Sequence, residues 1–126
     1  MATKKKIGLD KLKKGIFLVV SLGIIFDTKT RKILIARRDD DYYIKKLRWW
    51  FPGGRPKYGK DLERNLEKVI KKRTRLKVKN LGAVFSRFLE ENKKILLIYY
   101  LCEVVGGKEK AGGDFVELKW VKPKDL

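Results

Sequence analysis

Trp49-Trp50-Phe51-Pro52-Gly53-Gly54-Arg55-Pro56-Lys57-Tyr58-Gly59-Lys60, running on through Asp61-Leu62-Glu63-Arg64 to Val78, decides how this chain reads. A glycine loop opens into an amphipathic stretch of about fifteen residues, the arrangement that presents backbone N–H groups and a helix start to phosphate. Asp61 is the expected N-cap, and Glu63 suits the positive end of the helix. Leu62, Leu66, Val69, Ile70 and Arg73 share one face by their spacing. Chemistry on phosphate at such a site calls for carboxylates that hold a divalent ion. Most of the positions that matter carry Lys, Arg or Val.

The stretch resembles the Nudix box, G-x5-E-x7-R-E-U-x-E-E-x-G-U, in which U is a bulky aliphatic residue. With Gly54 on the first glycine, Lys60 takes the first glutamate and Lys68 the arginine. Val69 takes the next glutamate and Ile70 the first aliphatic, while Lys72 and Arg73 take the glutamate pair. Arg75 falls on the last glycine and Leu76 on the final aliphatic. The resemblance extends from about Phe17 onward. Ile24-Ile25-Phe26-Asp27 with Ile33-Leu34-Ile35-Ala36-Arg37-Arg38 looks like the first hairpin, and Glu117-Leu118-Lys119-Trp120-Val121 like the closing strand. It implies an α+β fold, a Nudix-like α/β/α sandwich with a mixed β-sheet and one or two helices. It also implies magnesium-dependent hydrolysis of a nucleoside diphosphate derivative, with metal held by helix glutamates. At the ligand positions Val69, Lys72 and Arg73 this chain has an aliphatic group and two cations, which repel magnesium. Glu63 and Glu67 remain one turn apart as the alternative metal pair, or as ordinary helix surface with Glu67 paired to Lys71. Asp114 and Glu117 lie where some family members keep a further acid.

The chain of 126 residues suits one domain, divided here into a basic leader over 1–14 and a single domain over 15–126. Strands are expected over 17–26, 32–37, 78–90, 95–105 and 115–121, with 122–126 beginning a last helix. With 44% hydrophobic and 38% charged residues the composition is that of a folded domain. Its 33 basic against 15 acidic residues give a formal charge of +18, which favours a polyanionic partner. The single cysteine, Cys102, excludes an internal disulfide and a cysteine metal cluster. It lies in an apolar run and reads as a buried thiol. No histidine is present, which removes imidazole acid–base chemistry and zinc triads. Abundant lysine with no glutamine and one methionine suggests a thermophilic archaeal source. The apolar run from Ile16 to Phe26 is broken by Ser21 and Gly23 and is too short to span a bilayer, so a cytoplasmic protein is expected.

What the box loses in carboxylates it gains in cations. Lys60, Arg64, Lys68 and Lys72 recur every four residues, with Lys71 and Arg75 alongside. Such a stripe is either a solvated face or a track for a nucleic-acid backbone. Arg55, Arg48 and Lys57 lie among Trp49, Trp50, Tyr42, Tyr43 and Tyr58, a mixture suited to stacking bases while holding phosphates. Strand alternation is expected to bury one of Trp49 and Trp50 and expose the other. The leading expectation is a catalytically inactive Nudix-like protein that binds RNA, ribosomal RNA being the natural candidate. That reading needs no cofactor. The alternatives are a divergent magnesium-dependent hydrolase using Glu63 and Glu67, and a module that binds a nucleotide without cleaving it.

Overall fold

The computed structural model describes residues 15–38 and 49–126. The leader over 1–14, and Tyr42, Tyr43 and Arg48 of the charged loop, lie outside them. In chain order the elements are β1 (Leu18–Asp27), β2 (Lys32–Arg38), β3 (Trp49–Trp50), β4 (Gly53–Gly54), α1 (Leu62–Thr74), β5 (Lys77–Leu89), β6 (Asn92–Gly106) and β7 (Phe115–Val121). Pro123–Asp125 closes the chain as one 3-10 turn, where the sequence suggested the start of a helix.

β1 and β2 form the expected hairpin, with Ile25 opposite Leu34. Asp27 shapes its turn by accepting hydrogen bonds from the Lys29 N–H and the Thr30 hydroxyl. The main path of the sheet runs β3-β2-β1-β6-β5, with β4 added to β1 and β7 to β2. β1 and β6 run parallel from Leu18 opposite Ile95 to Phe26 opposite Glu103, and the other pairs are antiparallel. The sheet is therefore mixed and the domain α+β.

Alternation along β6 divides the core. Tyr100 and Cys102 point toward α1 and pack with Ile25, Leu34, Leu66, Ile70, Leu76 and Val78. Ile95, Leu97 and Tyr99 belong to a second cluster on the other face, with Leu22 and Leu89, and Trp50 and Phe51 pack against it. Cys102 is fully buried, and desolvation first, then the charges of Glu67 and Glu63, push its thiol up to about 12. It is the inert thiol the sequence implied.

Two glycines set how closely the layers meet. A Cβ on Gly23 would lie 2.9 Å from Ile70 Cδ1, so α1 seats directly on β1 there. A Cβ on Gly53 would sit 2.0 Å from the Ser21 carbonyl oxygen, which excludes any side chain where β4 joins β1. That pairing fixes the glycine loop under the helix.

Candidate functional site

Asp61 caps α1, its Oδ1 accepting from the Arg64 N–H at 3.0 Å. Asn65 is buried one turn on, and its Oδ1 accepts from the Lys57 N–H at 3.2 Å, tying the glycine loop to the helix. These two local bonds bring Lys57, Lys60, Arg64 and Lys68 around a trough of about 320 Å³. Lys60, Arg64, Lys68, Lys71, Lys72 and Arg75 are all exposed, but the structure divides them. Lys71 and Lys72 stand in the last turn, where cations complement the carbonyl end of the helix. Arg75 follows as the C-cap at φ 67°, its N–H bonded to the Lys71 carbonyl. The first half of the stripe is a concave cationic surface, and the second half has a reason within the helix itself.

Arg73 behaves differently from its neighbours. Its Nη1 donates to the Gly53 carbonyl at 2.7 Å, and its guanidinium carbon lies 5.5 Å from the centre of the Phe115 ring. Nη2 is 3.8 Å from Asp114 Oδ2, which Arg38 also approaches at 3.6 Å. Asp114 is largely exposed, so these ion pairs are weak. The short bond to the carbonyl holds the group. Burial first, and the Arg38 charge second, lower the Arg73 pKa, with Asp114 opposing them. An arginine so placed stays charged at any working pH. The Arg73 carbonyl accepts from the Gly112 N–H at 2.9 Å, and the Thr74 carbonyl from the Lys110 N–H, so the loop before β7 docks on the same turn.

Two of the remaining acids, Glu67 and Glu117, have their carboxylates committed elsewhere. Glu67 Oε2 accepts from the Asn80 N–H at 2.8 Å, and Asn80 Nδ2 donates to the Glu63 carbonyl at 3.2 Å. Asn80 sits where β5 slips register against β6, so Glu67 satisfies a donor that the irregular ladder frees. The sequence suggested Lys71 as its partner. Glu117 pairs with Arg37 at 3.1 Å. Among the described residues, no three acidic or thiol groups converge as a metal site. Lys60, Val69, Lys72 and Arg73 do not fit a divalent ion, and the carbonyl of Gly53 already has a fixed cation on it.

Trp49 and Trp50 are both half-buried, which corrects the expectation of one buried and one exposed. Two residues of β3 pair with Ala36 and Arg37 at the end of the sheet, and contacts there cover both rings. Trp50 packs at a tilt against Phe51 at 5.0 Å between centroids and belongs to the core face away from α1. Trp49 lies 5.9 Å from Lys119 Nζ. Neither lines the trough. Arg55 instead lines a cleft of about 650 Å³ with Phe17, Lys57, Tyr58 and Arg73. Lys57 is shared by both hollows, and composition gave no way to single it out from the other lysines.

A family model described as NUDIX domain matches residues 17–126. The fold is similar to that of the MutT protein from Methanosarcina mazei, with a TM-score of 0.73 at 18% identity, over 90% of this chain and 83% of that one. It is also similar to a Nudix hydrolase from Nitrosomonas europaea, with a TM-score of 0.73 at 13% identity, over 90% and 62%. An ADP-ribose pyrophosphatase from Streptococcus suis matches with a TM-score of 0.66 at 22% identity, over 86% and 75%. No curated protein matches the chain. At these identities the likeness establishes the fold.

Proposed function

The chain belongs to the Nudix family, and from that premise we propose a catalytically inactive member that binds RNA through the basic face of α1. The observation that supports this reading is the Arg73 guanidinium on the Gly53 carbonyl. Attack on a pyrophosphate needs divalent metal to polarise the phosphate and to generate hydroxide near neutral pH. A side chain that is itself the cation offers no open coordination position and no bound water. It can neutralise phosphate, which is a binding property.

Lys57, Lys60, Arg64 and Lys68 then act as phosphate contacts, set around one trough by the Asp61 cap and the Asn65 bond. A formal charge of +18 on 126 residues suits a dense polyanion, of which ribosomal RNA is the most abundant kind. The test is a pair of measurements on the whole chain. Hydrolysis of nucleoside di- and triphosphate derivatives with magnesium or manganese is expected to stay below about 0.1 per second, where ordinary enzymes run near ten. RNA binding is expected to fall as salt rises. Turnover above that level, lost in Glu63→Gln or Glu67→Gln, would overturn the reading in favour of a divergent hydrolase that holds magnesium on those two acids.

A further inference from the structure

The two hollows beside the loop between β4 and α1 meet at Lys57 but differ in character. The trough along α1 is walled by Lys57, Lys60, Arg64 and Lys68, with the capping Asp61 carboxylate and the Asn65 amide among them. The larger cleft adds rings. Tyr58 is fully exposed on the loop, where no packing accounts for an aromatic side chain. Phe17, another lining residue and 49% exposed, packs at a tilt against Phe88, itself 43% exposed, at 5.2 Å between centroids. Arg55, Lys57 and Arg73 line the same cleft. Cations and exposed rings thus form one continuous track.

We propose that this track is a site for single-stranded RNA, with phosphates along the trough and an unstacked base held in the cleft against Tyr58 or Phe17. The proposal rests on the RNA reading above and adds the state of the strand. A duplex offers backbone and hides its base faces, so the rings gain nothing from it. An unpaired strand offers both, and stacking on an aromatic tolerates any base because each has a π-face. Charge alone would favour the duplex, whose phosphates are denser. A preference for the single strand is therefore the signature of the rings.

The experiment is fluorescence anisotropy at fixed salt, using an unstructured single-stranded RNA and a duplex of equal length. The wild-type chain should prefer the single strand. Tyr58→Ala should weaken single-strand binding roughly tenfold, leave the salt slope unchanged because no phosphate contact is lost, and leave duplex binding as it was. Tyr58 packs against nothing, so its loss does not threaten the fold; Phe17→Ala, checked by melting, should behave alike. Equal or tighter duplex binding would overturn the proposal while the RNA reading stands. So would unchanged single-strand affinity in both variants. If neither RNA binds, the RNA reading falls and takes this inference with it.

Discussion

Arg75 and Arg73 sit two residues apart, and each stands where its family has another residue for a physical reason. Arg75 holds φ 67° at the end of α1, the left-handed region that favours glycine. A side chain there costs about 1 kcal/mol, so Arg75→Gly should raise the melting temperature by roughly 4 °C, even though it removes an exposed cation. Arg73→Ala strands the Gly53 carbonyl and should cost about 2 kcal/mol, read as a lower urea midpoint that magnesium does not restore. Arg73→Glu reverses the charge beside the Gly53 carbonyl and Asp114. In that variant magnesium should raise the melting temperature at constant ionic strength, through a stabilisation of up to about 2.7 kcal/mol at a hundred times the dissociation constant, whereas the wild-type value should not move. Cys102 gives a pH prediction. Its folded pKa is raised to about 12, so between the usual thiol range and that value the unfolded chain loses a proton that the folded chain keeps. Stability falls with rising pH over that window. Lysine neutralisation is common to both chains, so comparing urea midpoints of wild type and Cys102→Ala from pH 8 to 11 isolates the thiol: the wild type should lose more. The cap at Asp61 was legible because capping is local. The destination of Arg73 was not, since helix spacing put it near the apolar face without saying that a carbonyl on β4 waits there.

At the scale of the element, α1 shows how much periodicity tells and where it stops. Leu66 and Ile70 are buried as their spacing implied, but Leu62 is 40% exposed and Asn65 and Thr74 are buried in its stead. Both polar groups are satisfied locally: Asn65 by the Lys57 N–H, and Thr74 by donating to the Ile70 carbonyl and accepting from the Leu76 N–H. Hydrophobicity cannot reveal a buried polar residue that has a backbone partner. β5 was legible as a strand, but not its slips at Asn80 and Ala83, the first of which Glu67 on the helix compensates. Glu67→Ala should therefore destabilise the fold by about 1–3 kcal/mol with or without magnesium, measured by urea unfolding. Equal stability of the variant, or a magnesium-dependent difference, would show that the carboxylate has another use. For the proposed RNA surface, the double change Lys60→Glu with Arg64→Glu should weaken binding more than Lys71→Glu with Lys72→Glu, because only the first pair lines the trough.

Over the whole molecule, the mixed sheet and the place of the helix followed from the resemblance of the box and hairpin, because a long-range pairing such as β1 with β6 leaves no local mark. Charge was legible as a total and not as a map. Its distribution around the trough depends on which lysines the loop turns inward, and Trp49 and Trp50, expected to split between buried and exposed, are both half covered at the end of the sheet. If about four to six phosphates are neutralised, the logarithm of affinity should fall against the logarithm of salt with a slope of about −3 to −4. Deleting residues 2–14 should flatten it less than reversing Lys60 and Arg64 together. No helix among the described residues is long and apolar enough to cross a membrane. The guanidinium at the glycine loop has a last consequence, one of supply. A metal ion has an occupancy set by its free concentration, and chelators or starvation can empty its site. A charge carried on the chain has no off-rate. Whatever phosphate rests near Arg73 meets the same field in a magnesium-poor cell as in a rich one, and only a mutation can remove it.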